Sequence, residues 1–191
     1  MSSINTVFIE SLIADYETLS EHMISIDLGA TQKIVSHLTK LLVLACASCY
    51  EQGFQEAYVS YAEIKSAEYV DKPHGFDNYD KDKNVYQRFS FGRIDEPDDT
   101  RQLSSVKNFL QPLKFFGNGF YEKILAEIEG DAEREREVNA FHEIFVMRNL
   151  VAHKTFVDIP GGLIRNKSFN DIKDLHYRAI GFANYLVIQF S

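Results

Sequence analysis

At 191 residues, with 45% hydrophobic and 25% charged residues, the chain is long enough for one domain with a sizeable core and has the balance of a soluble globular protein. A formal net charge of −8 argues against a general nucleic-acid coat, which needs basic residues to neutralise phosphates, though it leaves room for a small local phosphate site. Two cysteines, no secretory leader pattern and a longest uncharged apolar run, Leu41 to Tyr50, too short to span a bilayer point to a cytoplasmic protein with no membrane partner.

The first predicted helix runs from Ile4 to Ile24, with Val7, Phe8, Leu12, Ile13, Tyr16, Leu19 and Met23 at helical spacing. Asp27 and Gly29 interrupt it, and Thr31 opens a second helix that reaches about Tyr69. The middle of that second helix is apolar nearly all round, which predicts the central buried helix of a bundle. Residues 71–100 change character: Pro73, Gly75, Gly92 and Pro97 punctuate a stretch dense in Asp, Asn and Lys. We read it as a long, partly extended insertion, with Asn84 to Phe91 alternating like a short strand or arm. Gln102 to Leu113 and Phe120 to Glu129 read as two short helices, and Gly130 separates the latter from a long helix over Asp131 to Lys154. After Pro160-Gly161-Gly162, Ser168-Phe169-Asn170-Asp171 has the form of a capping box, opening a final amphipathic helix from Asp171 to Phe190. The whole chain, 1–191, is therefore expected to be a single all-α helical bundle carrying one insertion.

The stretch with the most chemistry is Arg148-Asn149-Leu150-Val151-Ala152-His153. At about 100° per residue, Asn149 and His153 share one helix face, and His142 falls on the same stripe. Arg148 lies roughly 140° around from His153, so one helix does not aim both groups at one atom, whereas two copies packed antiparallel about a two-fold axis do. Arg148 also stands between an apolar arc (Ala140, Ile144, Met147, Val151) and the flanking Phe141 and Phe145. A charge there is costly unless it meets a partner or ligand. The motif region is locally positive, with six Lys/Arg against three Asp/Glu from Arg148 to Arg178, while Tyr121 to Glu143 carries eight acidic residues against three basic ones. These residue types suit RNA cleavage: histidine moves protons near neutral pH, arginine offers a planar charged fork to a phosphate, and asparagine orients either. The bland alternative is a helix C-terminus in which His153 meets the dipole and Arg148 forms a salt bridge.

These six residues resemble the Arg-x4-His signature of the HEPN superfamily, all-helical domains many of which are metal-independent ribonucleases. Asn149, the polar residue after the arginine, fits that pattern, as does the motif's place on a late helix followed by a loop and one last helix. Leu113-Lys114-Phe115-Phe116-Gly117 leading into Phe120-Tyr121-Glu122-Lys123-Ile124 is similar to the segment before this helix in the RiboL-PSP-type branch. Glu51, following Tyr50 on the second helix, resembles an aromatic–acid pair found in such domains. The resemblance implies an endoribonuclease leaving cyclic phosphate ends, in a toxin–antitoxin or phage-defence role, working as a homodimer on RNA with no metal or cofactor. It implies Arg148, Asn149 and His153 as catalytic residues, with Lys154, His142 and Glu51 as supporting candidates, and an antitoxin or regulatory protein as a further partner. Two departures stand out: Lys154 replaces a glycine common after the histidine, and Lys154-Thr155-Phe156 replaces the Tyr-x-Tyr of toxins paired with nucleotidyltransferase antitoxins, so that antitoxin mechanism is unsupported. A non-catalytic binding or scaffold module of the same fold is the alternative, and a nucleotide-binding accessory domain a weaker third.

Other motifs fall away. Cys46-Ala47-Ser48-Cys49 lies mid-helix in the most apolar run, where core cysteines belong, rather than at a helix N-terminus where a redox thiolate is stabilised. Asp80-Lys81-Asp82-Lys83-Asn84 imitates a calcium loop but has Val85 where glycine is required and Phe91 where glutamate is required.

Overall fold

The computed structural model describes residues 3–22, 28–70, 106–107, 109–116, 118–153 and 167–190, with side chains at 28–30, 58–59, 62–70, 112, 115–116 and 153 outside that description. Five α-helices follow in order: α1 Val7–His22, α2 Leu28–Val70, α3 Asn118–Gly130, α4 Ala132–His153 and α5 Phe169–Gln189, with a 3-10 helix Gln111–Phe116 before α3. Among the described residues there is no strand, so the bundle is all-α. The insertion at 71–100, including the extended reading of Asn84 to Phe91, lies outside the described residues, as does Lys154.

The bundle forms because each long helix presents apolar residues at spacings of three and four. On α5 the buried set is Phe169, Ile172, Leu175, His176, Ala179, Phe182, Ala183, Leu186 and Val187. α4 packs most extensively on α5, and α2 packs on both. Arg134 reaching Gly181 at one end and Lys167 pairing with Glu143 at the other make α4 and α5 antiparallel. Tyr50 meeting His176, and Tyr61 meeting Phe190, make α2 parallel to α5.

α2 holds 43 residues and is about 64 Å long at 1.5 Å per residue. Its segment Thr31–Ala57 is long and apolar enough by length and composition to cross a membrane, a longer span than the Leu41 to Tyr50 run alone. Here Leu42, Val43, Cys46, Ala47 and Tyr50 in that segment are fully buried among the other helices. Gly53 faces the N-terminal segment so closely that an added Cβ would lie 2.7 Å from Ile4 Cγ1. The approach is pinned by the Ile4 amide, which donates to Asn184 Oδ1 at 3.0 Å.

Of the short helix read over Gln102 to Leu113, residues 102–105 and 108 lie outside the described residues, and the end of it, from Gln111, is corrected. Among the described residues Leu110 N donates to Val106 O at 2.9 Å, an α-type bond, and the chain then tightens into the 3-10 helix. Pro112 is the physical reason, since it has no N–H for an α-helical bond and disfavours the α conformation in the residue before it.

The capping box formed as the sequence implied. Ser168 is extended (φ −75°, ψ 168°), its hydroxyl accepts from the Asp171 amide at 3.2 Å, and Asp171 Oδ2 accepts from the Ser168 amide at 2.7 Å. Those hydrogen bonds, from the Ser168 amide first and its hydroxyl second, hold the Asp171 carboxyl below its ordinary range. A depressed carboxyl contributes stability above its unfolded pKa and loses it as pH falls through the folded one. Ser168→Ala, which removes the N-cap hydroxyl, is expected to cost about 1 kcal/mol near neutral pH. Thermal melts should show the gap between wild type and variant narrowing as pH drops below the ordinary aspartate range.

Candidate functional site

The motif arginine does find a partner. Arg148, on the last full turn but one of α4, pairs through one Nη2 hydrogen with Glu51 Oε1 on α2, and both side chains are half-buried. Its other terminal nitrogen, Nη1, donates to Oδ1 of the neighbouring Asn149 at 3.0 Å. The guanidinium is thus held from two sides at the seam of α2 and α4. The antiparallel run of these helices brings residues 51 and 148 level, while the rings of Tyr50 and Phe54 rest on Phe141 two turns below.

Three of the sequence-predicted residues, Arg148, Asn149 and Glu51, therefore form one cluster. His153 follows on α4 one turn beyond Asn149, on the same helix face, which places its backbone about 6 Å farther along the axis. Its side chain and Lys154 lie outside the described residues. His142 is elsewhere: six residues before Arg148, its ring lies 5.1 Å from Phe109 in an edge-on arrangement. Burial, opposed by the nearby Glu143 carboxylate, lowers its pKa to about 4. At neutral pH it is an uncharged ring packed between helices, suited to packing more than to proton exchange.

Around the cluster the charges are arranged rather than scattered. Lys167 bonds Glu143 at 2.7 Å, so the chain returning to α5 is tied to α4 five residues before Arg148. Burial raises the pKa of Cys46, with Cys49 beside it adding to the rise, and burial raises that of Cys49 as well. Neither thiol is poised as a thiolate nucleophile, in keeping with core cysteines.

One group of polar residues escaped the sequence reading. Tyr50, fully buried, has its hydroxyl 2.8 Å from His176 Nδ1, and His176 Nε2 lies 3.4 Å from Glu10 Oε1 on α1. Tyr177 adds a 3.2 Å bond from its hydroxyl to the other Glu10 oxygen. Burial lowers the His176 pKa, and Glu10 opposes that shift. A histidine in the middle of the apolar stripe of α5 was the available signal, but nothing local named Tyr50, 126 residues away, as its partner.

The family model described as RiboL-PSP-HEPN matches residues 9–191. No curated protein and no solved structure gives a significant match. The matched span takes in all five helices but the first two residues of α1, and with them Glu51 and the whole Arg148–His153 motif. The chain belongs to the RiboL-PSP-HEPN family.

Proposed function

We propose that this protein is an endoribonuclease acting without a metal cofactor, cytoplasmic, whose active site is completed when two copies bring their α4 helices together. The observation that carries this reading is the oriented guanidinium: Arg148 is held by Glu51 and Asn149 one helical turn from His153, in a chain of HEPN type. Cleavage proceeds by attack of an RNA 2′-oxygen on the adjacent phosphorus. The O2′–P bond forms, the P–O5′ bond breaks, and the products are a cyclic 2′,3′-phosphate and a 5′-hydroxyl. The imidazole of His153 takes the 2′-hydroxyl proton, and a second His153, from the other copy, gives a proton to the departing O5′. Arg148 faces the phosphate as its oxygens gain charge, and Asn149 keeps the fork turned toward it. A toxin or phage-defence role, with an antitoxin or other regulator as partner, fits a protein that degrades RNA.

The test is cleavage of total cellular RNA and tRNA in the presence of EDTA. Wild type is expected to leave cyclic phosphate ends and His153→Ala to leave the RNA intact.

A second reading, a non-catalytic binding module of the same fold, draws on the same ion pair, because Glu51 satisfies the charge of Arg148 without any ligand. The two readings part over Glu51→Gln combined with Arg148→Ala. If the pair is only structural, the double variant regains what Arg148→Ala loses in thermal stability, and wild type shows no cleavage to lose. If the site is catalytic, stability returns in the double variant while cleavage stays absent.

A further inference from the structure

α2 poses a positional problem for the site. From Leu41 to Tyr50 it is apolar nearly all round, and apolar contact is non-directional, so burial alone fixes weakly how this cylinder is turned about its own axis. The turn matters at Glu51. A side-chain tip stands about 6 Å from the helix axis, so a 10° rotation of α2 carries the Glu51 carboxylate about 1 Å along the surface of α4. Displacements of that size at a reacting group cost up to about 100-fold in rate.

Hydrogen bonds are directional, and one stands immediately beside Glu51. The Tyr50 hydroxyl reaches His176 Nδ1 at 2.8 Å, with the His176 carbonyl at 3.4 Å as a second acceptor. The ring of His176 is in turn set by Glu10, on α1, at Nε2. With Nε2–H donating to the carboxylate, Nδ1 is left as the acceptor for Tyr50. His176 is 1% exposed and Tyr50 fully buried, and among the described residues no buried side-chain nitrogen or oxygen lacks a partner. The groups around the ring are Glu10 and, on its own helix, Tyr177, whose hydroxyl bonds the same carboxylate. Phe141 of α4 closes the far side of Tyr50 with rings 5.4 Å apart. One hydrogen-bonded chain thus links α1, α5 and α2, and it ends on the residue next to the partner of Arg148.

We infer that His176 and Tyr50 are positioning residues for this site: the chain Glu10–His176–Tyr50 sets the rotation of α2 and thereby holds Glu51 against Arg148. The catalytic consequence rests on the ribonuclease reading above, while the geometric one does not.

The experiment separates them by reading the Arg148 side chain directly. In 15N-labelled protein the Arg148 Nε–Hε signal, assigned by its loss in Arg148→Lys, reports the ion pair whether or not RNA is cut. Tyr50→Phe keeps the ring on Phe141 and removes only the hydroxyl, and is expected to move or broaden that signal. It should also lower kcat roughly tenfold with KM within twofold, since positioning acts on the reacting geometry. His176→Asn, whose Oδ1 offers an acceptor where Nδ1 stood, should keep the Arg148 signal near its wild-type position, whereas His176→Leu should not. Glu10→Gln, at the exposed end of the chain, guards against loss of the fold and is expected to give a smaller shift in the same direction. An unchanged Arg148 signal in folded Tyr50→Phe and Glu10→Gln overturns the inference. Wild type failing to cut RNA while the signal moves as described overturns the ribonuclease reading alone.

Discussion

His153→Ala and Arg148→Ala are each expected to lower RNA cleavage at least 100-fold while the protein remains folded. For His153 the magnitude follows from proton transfer, which in other enzymes contributes about 10²- to 10⁴-fold. For Arg148 it follows from the loss of a preorganised charge facing the phosphate, about 10²- to 10³-fold for comparable oxyanion donors. The fold should survive both changes. His153 is the last residue of α4, so alanine there interrupts no helix interior. Arg148 is 29% exposed and Glu51 26%, so water reaches the carboxylate that Arg148→Ala leaves behind. The loss from breaking a pair open to solvent is about 1 kcal/mol, or roughly 2–4 °C in Tm for a chain of this length. Gel analysis of tRNA with EDTA present, paired with thermal melts, measures both sides. A variant that melts like wild type and cuts like wild type would remove His153 from the mechanism.

The sequence spoke most clearly where structure is local. The capping box at Ser168–Asp171 is set by four consecutive residues, and the helix behind it follows from spacing alone. α2 was legible because a continuous apolar run of that length has few other ways to be buried. The 3-10 helix was not, because apolar spacing over Gln102 to Leu113 favours a regular helix and Pro112 overrides it through a missing donor rather than through hydrophobic pattern. The site divided along the same line. The Arg148–Asn149–His153 spacing is visible in six residues, but the partner of Arg148 is 97 positions away in the chain. Glu51 was suspected only from its place after Tyr50. The tether from Tyr50 to His176 and Glu10 was invisible, since a lone buried histidine and a lone buried tyrosine carry no sign of each other until helices of opposite ends of the chain are packed together.

What keeps the two halves of the site level is the aromatic cluster beneath them, and its centre is Phe141. This ring is fully buried, and its centroid lies 4.9 Å from Phe145, 5.4 Å from Tyr50 and Phe182, and 5.7 Å from Phe54 and Phe109. Those contacts belong to α2, α4, α5 and the turn before the 3-10 helix, so the ring joins segments far apart in the chain. Several meet it edge-on, including Phe54 at an interplanar angle of 90°, an arrangement that adds attraction beyond simple burial. Phe141→Ala removes the ring and leaves a cavity bounded by side chains fixed on four different segments, which limits collapse. The expected loss is about 3–5 kcal/mol, a large share of the roughly 5–15 kcal/mol that holds a domain folded. Phe141→Leu, which fills most of the space, should cost less than half as much. Phe8→Ala serves as the control, because Phe8 is 57% exposed on α1 and its loss should change stability by no more than about 0.5 kcal/mol. Urea unfolding followed by circular dichroism checks the series: Phe141→Ala should lower the midpoint with the slope unchanged, as a cavity in an intact fold does. A changed slope would mean that the loss of this ring alters the compactness of the native or unfolded state, or that the bundle no longer unfolds in one step.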